Sequence, residues 1–290
     1  MPFRAATRQL QIRPFEPADL DAAAELTAAA FGIELEEATA RPRWIERLDH
    51  PLQTDPDGAF VAERDGRTVG VAQAIMRERL WILSMLAVDP GVQSAGVGRA
   101  LIEAALGYGA GGDAGLIVSS SDPRALRLYG LAGFSLRPAF EATGRLDRRR
   151  LPRADPAVHE AGADDLEALA SISRDVRGAP HTPDLRYALG RGARVLRHGD
   201  RGFAVVAPGQ LVWLLAARDS AVAQALLWSA LELVGDVGEG QPTVRWITGG
   251  QDWAIDILLK SGYALSSRGA LCVRGGPGPL APYLPSPPFA

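Results

Sequence analysis

The stretch Leu86-Ala-Val-Asp-Pro-Gly-Val-Gln93-Ser-Ala-Gly96-Val-Gly98-Arg99-Ala100-Leu101 carries more information than any other in the chain. An apolar run over 81–88 reads as a strand and passes through a glycine-containing loop into a helix expected over 98–106. The first amides of such a helix have no internal acceptor. With the helix dipole behind them they favour an anion, such as a phosphate or pyrophosphate. Gly96 and Gly98 let the backbone approach a ligand with no Cβ in the way, and Arg99 adds a positive side chain. No Gly-Lys-Ser/Thr follows, so this is not a Walker loop. A dinucleotide fingerprint wants Gly or Ala at its sixth position, where Leu101 stands, although Asp122 lies at a suitable distance for a ribose-binding acid. A tight strand-to-helix turn with no ligand also accounts for these residues.

Outward from this segment the pattern is mixed. Residues 10–13 read as a short strand and 19–31 as a helix behind the Pro17 start signal. Two strands at 59–63 and 68–76 flank Arg64-Asp65-Gly66-Arg67, a hairpin signal. Past the glycine loop come a strand at 116–120, a helix at 123–131 and a further extended run from Phe134. Residues 31–57 are read as substrate-side loops, the least legible part of the chain. Antiparallel strands followed by strand–helix–strand–helix make an α+β fold, a mixed, mostly antiparallel, twisted sheet flanked by helices.

The order of patterns occurs twice. PFEPADLDAAAEL (14–26) resembles AGADDLEALASI (161–172), and SSSDPRALRLYGLAGFSL (119–136) aligns without gaps on TGGQDWAIDILLKSGYAL (248–265). Ala125 falls on Ala254, Gly133 on Gly262 and Phe134 on Tyr263. The polar, basic GRLDRRRLPR run, closed by prolines, reads as a connector. These features divide the chain into a first domain over 1–147, a linker over 148–156, a second copy over 157–274 and a proline-rich tail over 275–290. The tail is expected to be either disordered or extended over a neighbouring surface.

Composition narrows the function classes. The 290 residues suit two domains. A net charge of -3 supplies no field that would draw the chain to nucleic acid or an anionic membrane. No stretch approaches the roughly 18 apolar residues of a membrane-spanning helix, and the opening residues lack the apolar core of a signal peptide. A cytoplasmic protein is expected, with no nucleic-acid or membrane partner. Cys272 is the lone cysteine. His50, His159, His181 and His198 show no ligand spacing, so each reads as a surface residue and no metal is expected.

Gln-x-x-Gly-x-Gly after a strand ending in Val-Asp-Pro resembles the acyl-CoA-binding motif of the GNAT acetyltransferase superfamily. Asp122-Pro-Arg-Ala125-Leu-Arg-Leu-Tyr129-Gly-Leu-Ala-Gly133-Phe134 is similar to that family's second motif, Asn-x-x-Ala-x-x-x-Tyr-x-x-x-Gly-Phe, with Asp122 where Asn is usual. The resemblance covers 10–145 well and 157–274 weakly, and tandem arrangements occur in this superfamily. It implies two tandem GNAT-like domains and an N-acetyltransferase that moves an acetyl group from acetyl-CoA to a primary amine of a small molecule. It further implies that the amides of Gln93, Ser94, Ala95, Gly96, Val97, Gly98 and Arg99 hold the CoA pyrophosphate. Main-chain groups of Leu86, Ala87 and Val88 would pair with the pantetheine arm as an added strand, Asp122 and Ala125 would line the cofactor, and Tyr129 would be the general acid. A phenol titrating near about 10 stays protonated beside a departing thiolate with a pKa near about 8.5. Tyr129 also shares a helix face with Ala125, Leu128 and Ala132, where a core role is the alternative.

The second copy keeps the fold signals and drops the cofactor signals. After an apolar strand over 211–217, a shorter loop over 218–224 holds no glycine, and Leu258 stands where Tyr129 would align. One site per chain is expected, in the first half. The rival reading is a non-catalytic acyl-CoA-binding or regulatory protein, which would share the glycine loop and have no use for Tyr129.

Overall fold

Asp65 and Gly66 both take left-handed backbone, the tight turn whose twist suits paired strands. They join β2 (Ala59–Arg64) to β3 (Arg67–Arg77), with Arg64 opposite Arg67. The computed structural model describes residues 10–92, 96–147, 149, 152–207, 210–234 and 243–290. It contains two compact units, one built from the chain up to Met76 with Trp81–Gly112, the other from Arg77–Leu80 with Asp113–Ala290. No helix among the described residues is long and apolar enough to cross a membrane.

In the first unit, β1 (Gln11–Pro14) pairs antiparallel with β2, and β4 (Leu80–Val88) follows β3 in the sheet. Beside them pack α1 (Leu20–Phe31) and α2 (Ala40–Thr54). Ala23, Ala24, Leu48 and Leu52 form one core with Val61, Val71, Met85 and Ala87. α3 (Val97–Tyr108) buries Val97, Leu101, Ile102 and Ala105, and the Trp81 indole donates to the Ala105 carbonyl at 2.9 Å. The expectation of loops over 31–57 is corrected by α2. Trp44, Leu48 and Leu52 repeat at helical spacing, but two prolines obscure the pattern. Pro42 stands in the first turn, where its missing N–H costs nothing, and Pro51 sits in the last.

The second unit holds β5 (Ala114–Ser119), α4 (Pro123–Leu131), β6 (Ser135–Gly144), β7 (Val158–Ala161), α5 (Leu166–Arg177), α6 (Thr182–Gly190), β8 (Arg194–His198), β9 (Gly202–Ala207) and β10 (Gln210–Ala217). It continues with α7 (Ser220–Val234), β11 (Thr243–Thr248), α8 (Asp252–Lys260), β12 (Tyr263–Gly275) and the short β13 (Tyr283–Leu284). Its strand order is β5-β12-β6-β11-β10-β9-β8-β7, with β13 on β10. The last strands of the two copies are exchanged. β12 pairs with β5, Ala270 opposite Ser119, while β6 pairs with β11, Ala139 opposite Thr248. Between them β6 and β12 pair with each other from Ser135↔Val273 to Gly144↔Tyr263.

Local details repeat as well. The Glu16 amide bonds Asp19 Oδ2 and the Gly162 amide bonds Asp165 Oδ2, each at 2.9 Å, in the same turn before α1 and α5. The 218–224 loop expected in the second copy is corrected: β10 reaches Ala217 and α7 starts at Ser220, because the Asp219 carboxylate caps the helix and accepts from the Val222 amide at 3.0 Å. His181, expected at the surface, is fully buried. Its ring nitrogens lie 3.0 Å from Ser173 Oγ and 3.1 Å from the Tyr283 hydroxyl, so the imidazole is paired. Burial holds its pKa well below the usual histidine value.

Residues 148–156 remain our proposed joint between the two copies. A fragment ending at residue 150 keeps β5 and β6 but lacks β12, the strand paired to both. It should therefore aggregate or oligomerise through the exposed edges. Light scattering on the eluted fragment checks this, and a monomeric fragment with a cooperative melt would contradict the exchange.

Candidate functional site

The sequence-derived residues fall on two structural segments. The first is the junction of β4 and α3. Ala87 turns its methyl into the core under α1 and α2, so only its main chain is free to meet a ligand. Leu86 and Val88 are half-buried. Gln93, Ser94 and Ala95 lie outside the described residues. Gly96 caps α3 in left-handed backbone, φ 81°, a conformation that costs a side-chain-bearing residue roughly 1–2 kcal/mol. As a glycine it brings no side chain of its own to cap the helix. Val97 is buried, Gly98 half-buried and Arg99 exposed, with Arg99 Nε donating to Glu103 Oε1 at 2.8 Å. The guanidinium is thus held along the helix by its neighbour one turn on, and the backbone amides are the donors at the helix start.

The second segment is α4. Asp122 is its N-cap, and Oδ1 accepts from the Arg124 amide at 2.8 Å. The Arg124 guanidinium bonds the same carboxylate and holds its pKa below the usual aspartate value. Asp and Asn cap equally well, so the departure from the family's Asn keeps the local structure. Ala125 is half-buried in the first turn, and Tyr129 follows one turn later, 5% exposed. Gly133, φ 88°, ends α4, and the Phe134 amide reaches back to the Tyr129 carbonyl at 3.1 Å. Gly262, φ 94°, ends α8 in the same way.

Burial pushes the Tyr129 hydroxyl well above the ordinary tyrosine value, with Cys272 and Asp122 adding to the effect. Cys272 on β12 is fully buried, and burial pushes its thiol up to about 12. Both groups therefore stay neutral through the physiological range, and the phenol keeps a proton to give. Sequence reasoning did not connect these two residues, because the strand exchange that places β12 beside β5 has no local signal.

Two further buried polar atoms stand in the first unit. Gln73 is fully buried and donates to the Leu48 carbonyl at 2.7 Å, while its Oε1 has no protein partner among the described residues. Ser84 Oγ on β4 is likewise buried without one, and the Ser84 carbonyl accepts from Arg47 of α2 at 2.7 Å. Neither was singled out, since α2 itself was not read. In the second unit, Glu78 is tied to Arg174 at 2.8 Å.

Residues 20–134 match the model of the acetyltransferase (GNAT) family. A mycothiol acetyltransferase of Acidothermus cellulolyticus is 35% identical over 145 residues, covering 43% of this chain and 44% of that protein. The chain thus spans less than half the length of the curated relatives it matches. Among solved structures, a Pyrococcus horikoshii protein superposes with a TM-score of 0.78 at 18% identity, over 99% of this chain and 97% of that one. A tandem GNAT protein from the clavulanic acid biosynthesis pathway gives 0.60 at 17% identity, over 92% and 98%. These likenesses show the fold: two tandem GNAT-like copies of α+β type.

The cap gives a stability test. Asp122→Ala should destabilise the protein by about 1 kcal/mol, and Asp122→Asn by much less. Urea unfolding of the three proteins measures the difference.

Proposed function

We propose, from the match of residues 20–134 to the acetyltransferase (GNAT) family model, that the chain is an acetyl-CoA-dependent N-acetyltransferase acting on a primary amine of a small molecule. One observation carries the reading. α3 opens on Gly96, which has no side chain to cap it, whereas α7, its counterpart in the second copy, is closed by the Asp219 carboxylate. The first helix start favours an anion through its amides and dipole, and the second already holds one. The amides from Gly96 to Arg99 would hold the pyrophosphate of acetyl-CoA, and the main chain of Leu86, Ala87 and Val88 would align its pantetheine arm.

In the transfer, the amine nitrogen attacks the thioester carbonyl carbon. The C–N bond forms, the C–S bond breaks and CoA leaves as a thiolate. Tyr129, held protonated by its burial, gives its proton to that sulfur, and the proton of the acylated nitrogen passes through water to restore the phenol. The net charge of -3 and the lack of a basic stripe favour a small acceptor over nucleic acid. The name of the relatives, mycothiol acetyltransferase, supports the same class of acceptor.

Calorimetric titration with acetyl-CoA should give one equivalent per chain, and Gly98→Asp, which adds a like charge at the phosphate position, should abolish it. Unchanged affinity in the mutant, or preference of the wild type for NAD, would overturn the assignment.

Tyr129→Phe should lower turnover by about 10²–10⁴-fold with little change in cofactor affinity. Because the phenol's pKa is raised, its deprotonation should not limit turnover until the pH passes about 10, the ordinary tyrosine value. Full turnover in the folded mutant would return Tyr129 to a packing role and favour a binding protein.

A further inference from the structure

In the second copy β10 and β11 are parallel neighbours, and among the described residues their register is Val212↔Val244. Beyond that point β10 takes a different partner. β13, from the proline-rich segment, pairs antiparallel with it, Leu284 opposite Leu215 and Tyr283 opposite Ala216, and the Ala217 amide donates to the Pro282 carbonyl at 3.2 Å. β13 also lies against β11. The added strand therefore sits where the two parallel strands part.

Leu215, Ala216 and Ala217 correspond to Leu86, Ala87 and Val88 at the same ungapped offset that aligns 119–136 with 248–265. The β10–α7–β11 unit repeats the order β4–α3–β5. The three residues that meet β13 are thus the counterparts of those assigned above to the pantetheine arm. At the adjoining helix start, Asp219 Oδ1 accepts from the Val222 amide and Oδ2 from Arg201 Nη2 at 2.5 Å. A carboxylate of the chain itself stands where the first copy leaves amides open.

The occupant is built to stay. Leu280, Tyr283, Leu284 and Phe289 are each at most 3% exposed. Gln251 holds the segment twice, donating from Nε2 to the Leu280 carbonyl at 2.9 Å and accepting the Tyr283 amide at Oε1 at 3.1 Å. Phe289 meets Trp213 edge to face with ring centroids 5.1 Å apart. The Arg177 guanidinium donates to the Phe289 carbonyl and, at 2.8 Å, to that of Ala290. Pro282 and Pro285 carry no N–H, so β13 cannot extend into a longer ladder.

We propose that the groove between β10 and β11 is a peptide-binding site whose ligand is residues 277–290 of the same chain, with the peptide backbone standing in for the pantetheine arm and Asp219 for the pyrophosphate. This rests on the acetyl-CoA reading of the first copy. The second copy is then a self-liganded domain, closed to cofactor by two of its own parts.

The test uses the full chain first. Gln251→Ala removes both bonds to the segment, so chymotrypsin should cut at Tyr283 at least about tenfold faster, and the Ala217 amide should exchange with solvent faster by a similar factor. A chain ending at Gly276 should melt at lower temperature, and a synthetic peptide of residues 277–290 added in trans should restore the melt. Titration of that shortened chain with CoA should show no equivalent beyond those of the intact chain. Unchanged cleavage and exchange in Gln251→Ala would overturn the proposal. So would a folded shortened chain that ignores the peptide, or one that gains an equivalent of CoA. Absence of CoA binding by the intact chain would instead count against the acetyl-CoA reading, leaving the peptide results to be judged separately.

Discussion

The antiparallel pair of β6 and β12 is the constraint on which the second unit depends. Each strand closes a four-strand centre, β5-β12-β6-β11, to which each copy contributes its last two strands in alternation. A strand edge left unpaired in such a sheet is both unstable and adhesive, so neither copy completes its sheet alone. The second copy can therefore do without the glycine loop and the tyrosine, but not without its last strand or the turn that launches it. Gly262 and Tyr263 match Gly133 and Phe134 for that reason. The left-handed residue lets the chain leave one helix and enter the central pair, whatever chemistry the helix carries.

The contrast between α3 and α7 shows how little separates a receptive helix start from a closed one. Both follow the end of an apolar strand, and both present amides that the helix cannot satisfy itself. A glycine before one leaves those amides to an incoming anion. An aspartate before the other supplies the anion covalently, at an effective concentration no free ligand matches. The first copy gives up a little local stability at this point, since a glycine N-cap is worth roughly a few tenths of a kcal/mol less than an aspartate. That deficit is typical of sites arranged for a ligand rather than for the fold.

Much of the architecture was legible because its signals are local. The Asp65-Gly66 turn, the helix behind Pro17, the strand leading into the Gly96 loop and the helix ending at Gly133 are each dictated within a few residues. α2 was missed because prolines in its first and last turns resemble loop punctuation, although Pro42 stands where no N–H is needed and Pro51 gives up only one bond near the helix end. His181 was misplaced because burial of a polar ring depends on partners far away in sequence, Tyr283 among them. The site was legible in the same uneven way. The glycine loop and Tyr129 stand in the sequence, whereas the influence of Cys272 on the Tyr129 phenol and the capture of residues 277–290 arise only once distant segments meet.

The exchange of last strands also sets a schedule for synthesis. When β5 and β6 leave the ribosome, the strand that will lie between them has not yet been made. About 130 residues separate β6 from the end of β12, and at roughly 5–20 residues per second their synthesis takes on the order of ten seconds. Throughout that interval the nascent first copy carries two strands with no native partner on the sides that will face β12. Neighbouring nascent chains present the same open strands, and contacts of such long sequence separation form slowly. The architecture that makes the two copies inseparable at equilibrium therefore exposes the chain, while it is being made, to pairing with other molecules of its own kind.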